Sequence, residues 1–256
     1  DAERTMCTCL GISNFLNSKD LDKLAIKNSK YLFIEGYLVA SETALEACFE
    51  AIEVAKTSAT KIVISLSDAT IVNIFRDQIN SLINLGCDVL FCNESEALTF
   101  SNCNNLKKAE IFLRNISSTN LITLGKKGCL VWDGNKSNYI KAIKTKAVDT
   151  NGAGDIFAGA VLNKISEGKS LQTAAEFGCL ASSKKVEKFG PRLSAQEYKN
   201  IKKEFQKLPR NWQINLLNCA AFFLLRKLIR KQMAKTKKSS KLALKKAKSK
   251  KATSKN

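Results

Sequence analysis

Between residues 31 and 124 the apolar positions fall in short continuous runs, separated by longer stretches with helical spacing. Tyr31–Val39, Lys61–Ser67, Asp88–Asn93 and Asn120–Leu124 are β-rich runs with little polar interruption. Such runs suit parallel strands buried on both faces. Between them, Ser41–Lys56, Ile71–Leu85 and Asn105–Ile116 predict helices, and Ser41 is a good N-cap with Glu42 just inside. The alternation predicts an α/β fold, a doubly wound and mostly parallel sheet with flanking helices. After Gly125, Cys129–Trp132 and Ser137–Ala142 read as a hairpin at the sheet edge, turning at Asp133-Gly134. Two helices, Ala153–Ser166 and Leu171–Lys185, then close the domain. In open α/β sheets ligands bind beyond the carboxyl ends of the strands, which points to the loops after Leu66, Phe91 and Leu124.

Charge divides the chain. The 256 residues carry 42 Lys+Arg against 23 Asp+Glu, a net charge of +19. Residues 199–256 hold 19 of those bases and a single acid, Glu204, whereas residues 1–198 hold 23 bases and 22 acids. A near-neutral core, residues 1–198, is therefore expected to carry a Lys-rich tail, residues 199–256. Within the tail, residues 212–230 suit a buried or interfacial helix. Their unbroken apolar run, Cys219–Leu225, is far too short for a transmembrane segment. From Lys235 the composition predicts disorder with at most a transient helix. Such a tail would contact nucleic acid without sequence specificity, by neutralising phosphates, or would rest on anionic lipid. Met233-Ala234-Lys235 also looks like the start of a separate basic protein, so a readthrough or assembly join stays open as a third origin.

Residue types exclude some chemistry. There is no histidine, which removes Ser-His-Asp triads, Cys-His dyads and His-ligated zinc. The nine cysteines are scattered without a C-x-x-C pair, which fits a reducing cytoplasm better than a disulfide framework.

The chemistry lies in residues 149–162, DTNGAGDIFAGAVL. Gly152, Ala153 and Gly154 are small residues where a helix begins, so their backbone N–H groups can approach an anion closely. The helix dipole adds positive potential at the same place. Asp155 follows in the first turn, where a carboxylate can take a proton from an attacking hydroxyl. The combination points to phosphoryl transfer onto an alcohol, with an anion hole and a base side by side. As an isolated G-x-G the pattern would read first as a turn with a helix-stabilising acid.

The full string resembles the carboxyl-side signature of the ribokinase-like (PfkB) family of carbohydrate and nucleoside kinases. Asn93-Glu94-Ser95-Glu96 resembles that family's N-x-x-E motif, and Thr123-Leu124-Gly125-Lys126-Lys127-Gly128 its T-x-G-x-x-G nucleotide loop. Asp88–Phe100, Asn151 and Glu3-Arg4-Thr5-Met6 are most similar to adenosine kinases, and related sugar kinases share much of the pattern. The similarity runs to about residue 193, ending near Phe189-Gly190-Pro191-Arg192, and implies a ribokinase-like fold.

The resemblance also implies roles. Asp155 would be the catalytic base, and Gly152, Ala153 and Gly154 the anion hole for the γ-phosphoryl group of ATP. Thr123, Gly125, Gly128 and Asn151 would lie against ATP. Asn93 and Glu96 would hold Mg²⁺ through water. Arg4 is a weaker candidate, a phosphate clamp or a surface charge. Asp149 and the carbonyls around Thr150 and Gly190 match positions where family members often bind a monovalent cation, K⁺. The acceptor would be a nucleoside or a sugar: adenosine kinase-like phosphorylation is the first reading and a sugar kinase the alternative. An inactive kinase-like core with a nucleic-acid-binding tail is a further alternative. Family members carry a segment before the position of Asp1, with the first strands of the sheet, a lid, paired glycines and an acidic residue that grips substrate. No counterpart is recognisable here, so the chain is expected to be an N-terminally truncated form, with little or no turnover by itself.

Overall fold

The apolar runs become strands and the periodic stretches become helices. The computed structural model describes residues 11–208. Arg4, the stretch 212–230 and the Lys-rich end beyond Lys235 lie outside these residues. The strands are β1 (Tyr31–Glu35), β2 (Lys61–Ser65), β3 (Val89–Asn93), β4 (Thr119–Thr123), β5 (Gly128–Trp132) and β6 (Ser137–Lys141). The helices are α1 (Lys23–Lys27), α2 (Glu42–Lys56), α3 (Ala69–Ile74), α4 (Arg76–Leu85), α5 (Glu94–Ser101), α6 (Leu106–Arg114), α7 (Ala153–Ser166), α8 (Leu171–Val186) and α9 (Ala195–Lys207). The sheet order is β1-β2-β3-β4-β5-β6. Pairing is parallel from β1 to β4 and antiparallel from β4 to β6. This is the mixed α/β sheet with flanking helices that the pattern predicted.

Period-two alternation distributes the core over both faces of the sheet. Ile34, Ile62, Ile64, Leu90, Cys92 and Ile122 point into a cluster with Ile52, Leu82, Phe100 and Leu113 of the crossover helices. Val63, Val89, Phe91 and Leu121 point the other way, onto Phe157 and Val161 of α7 and Ala174 and Ala175 of α8. Ile64, Leu90 and Ile122 are almost entirely buried, each worth roughly 1.5–3 kcal/mol. The core thus clamps the parallel strands between two helical layers, and α7 owes its position under the sheet to this packing. No described helix is long and apolar enough to cross a membrane.

The structure departs from the predicted elements in several places, beginning with α1 and α5, which were not predicted. The run Tyr31–Val39 is not one strand: β1 stops at Glu35 and Gly36–Ala40 coils into a 3₁₀ turn. Gly36 sits so tightly on the next loop that an added Cβ would lie 2.6 Å from the Leu66 carbonyl oxygen. Its N–H donates to Ser67 Oγ at 2.8 Å. The predicted helix Ile71–Leu85 breaks at Phe75 (φ −113°, ψ 32°) into α3 and α4. Arg76 reaches back there to the Phe100 and Thr99 carbonyls, at 2.8 and 2.5 Å, which fixes the start of α4 on α5. Finally, α9 follows the two helices expected to close the domain. Ser194 and Glu197 cap one another at its start. Ile201 is buried, and the rings of Tyr198 and Phe205 lie 5.8 and 5.1 Å from Phe177. The boundary expected at residue 198 therefore falls inside a packed helix.

Candidate active site

Register decides which side chains meet at the carboxyl edge of the sheet. Glu35 pairs with Ser65, Ser65 with Phe91, and Asn93 with Thr123, so β1 and β2 end together and β3 and β4 end together two residues further on. Their last residues, Glu35, Ser65, Asn93 and Thr123, all line a cleft of about 710 Å³. The start of α7 forms another wall of the same cleft, through Asn151, Gly152, Gly154 and Asp155. The cleft is thus where the loops after the strands meet a helix N-terminus, as open α/β sheets require.

At the α7 start, Gly152 is the N-cap residue with φ 74°, and no side chain caps the helix. Two constraints select glycine here. The backbone is left-handed, and an added Cβ would lie 2.2 Å from the Pro191 carbonyl oxygen. Gly154 differs, since a Cβ there would meet nothing within 4 Å; the missing side chain leaves room at the cleft. Ala153 departs from expectation. It does not line the cleft, and its N–H turns back to the Thr150 carbonyl at 3.1 Å. The outward donors of this first turn are therefore those of Gly154 and Asp155.

Asn93 and Glu96 form a capping box at the start of α5. Asn93 N–H and Nδ2 donate to the two Glu96 carboxylate oxygens at 2.9 and 2.5 Å, and Glu96 N–H donates to Asn93 Oδ1 at 2.8 Å. Both side chains line the cleft, and Glu96 is only 4% exposed. These oxygen donors suit a hard cation held through its waters, as Mg²⁺ prefers. Among the described residues no group of three or more acidic or cysteine side chains forms a direct metal cage.

The nucleotide-loop candidates separate. Thr123 lines the cleft, and its hydroxyl donates to the Cys92 carbonyl at 3.4 Å. Gly125 and Gly128 do not line it. Gly125 (φ 55°) opens an exposed 3₁₀ turn with nothing near its Cβ position. Gly128 (φ 121°) is needed for sheet pairing, because a Cβ would lie 1.9 Å from the Ile140 carbonyl oxygen. Lys127 pins this turn to Glu94 of α5 at 3.3 Å.

Glu35 is a cleft residue that the sequence reading missed. Partial withdrawal from solvent, and then the negative charge of Asp155, push its carboxyl above the ordinary value of 4.5. Two carboxylates therefore share one cleft within electrostatic reach of each other. The available signal was Gly36: a glycine within an apolar run marks where a strand can end, which makes the preceding acid a strand-end residue.

Asp149 sits behind the turn that leads into α7. Its carboxylate accepts the N–H groups of Asn151 and Gly190 at 2.8 and 2.9 Å. Lys185 Nζ donates to its carbonyl at 2.9 Å. A side-chain ammonium thus stands beside the carboxylate at which K⁺ was expected.

The pfkB family of carbohydrate kinases matches residues 1–197. The ribokinase of Staphylococcus aureus is 32% identical over 186 residues, covering 70% of this chain and 56% of that protein. The crystal structure of adenosine kinase from Sinorhizobium meliloti shares 27% identity at a TM-score of 0.72, over 75% of this chain and 59% of that one. A ribokinase II assignment from E. coli, solved in complex with ATP and Mg²⁺, shares the fold at 19% identity and a TM-score of 0.67, over 74% of this chain and 64% of that one. The chain thus spans little more than half the length of the ribokinase it matches. With the family match extending over three quarters of the sequence and the fold agreeing, the chain belongs to the pfkB family of carbohydrate kinases.

Proposed function

We propose that this chain binds Mg-ATP and serves phosphoryl transfer from ATP to a primary hydroxyl of a nucleoside or sugar, with adenosine the favoured acceptor. The observation that carries the reading is the uncapped start of α7, facing the same cleft as the strand ends. The Gly154 and Asp155 N–H groups, with the helix dipole behind them, would hold the γ-phosphoryl oxygens as charge develops. Asp155 would take the proton from the acceptor hydroxyl as that oxygen attacks phosphorus. Glu35 would accept hydrogen bonds from other hydroxyls of the acceptor, orienting it toward Asp155. Asn151 and Thr123 would lie along the nucleotide, and the Gly125–Gly128 turn would shape its outer edge. Arg4, outside the described residues, would clamp phosphate if the motif that suggests it is functional. Asn93 and Glu96 would hold Mg²⁺ through water. When bound, Mg²⁺ bridges and neutralises phosphate oxygens. The proposed setting is the cytoplasm, where the six free cysteines among the described residues would stay reduced.

The test is thermal unfolding of the full chain with and without Mg-ATP. A ligand that binds only the folded form raises the midpoint. A concentration-dependent rise with Mg-ATP, absent with Mg²⁺ alone, is expected. An unchanged midpoint at millimolar Mg-ATP would overturn the proposal.

A further inference from the structure

Lys185 lies in the last turn of α8 and is 1% exposed. A lysine so placed cannot extend its head group to water, as surface lysines do. Burying an ammonium is costly unless it is paired and hydrogen-bonded. Its partner is a single residue. Nζ donates to the Asp149 carbonyl at 2.9 Å and stands 3.8 Å from the Asp149 carboxylate.

Asp149 is the hub of the segment leading into α7. Its two carboxylate oxygens receive the Asn151 and Gly190 N–H groups. The N–H groups of Val148 and Asp149 both donate to the Val186 carbonyl, at 2.7 and 3.2 Å. Ser182 Oγ donates to the Ala153 carbonyl at 2.9 Å. The turn that presents Gly154 and Asp155 is therefore bolted to the carboxyl end of α8, with the Lys185 ammonium beside the hub carboxylate. The α8 dipole favours a cation at the same place.

We propose that Lys185 is a tethered internal cation. Its ammonium supplies from α8 the charge that holds Asp149, and with it the turn before α7, so that the turn needs no monovalent cation from solution. An ammonium and K⁺ carry the same charge and are close in radius, and both are satisfied by carbonyl and carboxylate oxygens. Lys185 is a positioning residue, acting on the anion-binding turn through Asp149. The cation-independence of the turn stands by itself, and its consequence for catalysis rests on the phosphotransferase reading.

The experiment is thermal unfolding of the full chain, without nucleotide, in potassium chloride and in tetramethylammonium chloride at equal ionic strength. The wild-type chain is expected to unfold at the same midpoint in both. A rise specific to potassium in the wild type would overturn the proposal. The Lys185→Met chain is expected to unfold at a lower midpoint and to recover part of the loss in potassium alone, saturably. A Lys185→Met chain that responds equally to both salts would also overturn it, because Lys185 would then be a packing residue only. If Lys185→Met does not fold, Lys185→Arg, which keeps the charge, is expected to fold and to ignore potassium, and a potassium-dependent Lys185→Arg chain would count against the proposal. A wild type indifferent to potassium that also ignores Mg-ATP would refute the proposed function and leave this inference standing.

Discussion

Two of the helix starts that line the cleft, those of α5 and α7, treat their exposed N–H groups in opposite ways. At α5, Asn93 and Glu96 close the first turn on itself, side chain to backbone in both directions. At α7, Gly152 offers no side chain, and the turn is held from behind by Asp149 and Pro191 instead. Helices α1, α2, α3, α6 and α8 carry one-way side-chain caps, from Asp22, Ser41, Asp68, Asn105 and Ser170, and α9 a reciprocal one from Ser194 and Glu197. Capping residues of this kind typically contribute about 1 kcal/mol. The fold uses such caps at seven described helix starts and lacks them at α4 and α7; of these two, only α7 lines the cleft, where its donors stay available for something other than its own side chains. The contrast separates a helix start closed by its own side chains from one left open, which the proposed function assigns to an anion.

The largest expected effect concerns Asp155, the one carboxylate on the open start. Asp155→Asn should lower whatever phosphoryl transfer to adenosine or ribose the chain supports by about 10²–10⁴-fold, abolishing a weak wild-type rate, with Mg-ATP affinity nearly unchanged. Steady-state kinetics and a binding titration, run on the same protein, check both halves. Next is Gly152→Val, which places a side chain against the Pro191 carbonyl at a backbone angle that disfavours it. A loss of about 3 kcal/mol or more in denaturant unfolding is expected, together with loss of the Mg-ATP shift. A well-folded variant with normal binding would show that the α7 start tolerates ordinary capping chemistry, and the comparison would collapse. Breaking the other start should cost less. Asn93→Ala removes the α5 cap and should destabilise by about 1 kcal/mol, with a weaker Mg²⁺ dependence of nucleotide binding as the functional trace.

The smallest effect is a pH dependence. The folded-state pKa of Glu35 is raised above 4.5. The folded form therefore binds that proton more tightly than the unfolded form does. Its ionisation subtracts stability as pH rises from the ordinary carboxylate value through the raised one. Glu35→Gln should gain on the wild type across that window and match it below the window. A difference between the two proteins that stays constant with pH would remove the electrostatic link between Glu35 and Asp155.

Much of this was legible because local chemistry and fold agree. The continuous apolar runs gave four strands because burial on both faces leaves no polar positions to interrupt them. Ser41 marked the α2 start, and residues 153–166 matched α7 in full. The anion-binding turn was readable because small residues at a helix start have few other uses in such a string. What escaped depended on contacts distant in sequence. Glu35 looked like a mid-strand residue until Gly36 met the Leu66 carbonyl. The break at Phe75 follows from Arg76 reaching α5. The role of Lys185 could not be read from a lysine among lysines, because its partner is 36 residues away in sequence. The structural reason for Gly128 likewise lies in β6, not in its own loop.

The central claim is that the open start of α7 receives the phosphates of Mg-ATP. It is tested most directly by calorimetric titration of the full chain with Mg-ATP, beside a Gly154→Asp variant. Gly154 lies at the cleft with open space at its Cβ position, so the substitution adds negative charge at the proposed anion site without a steric clash. Saturable one-to-one binding by the wild type, weakened about tenfold or more in the variant, is the predicted result. Equal binding by both proteins, or none by the wild type, would contradict the account.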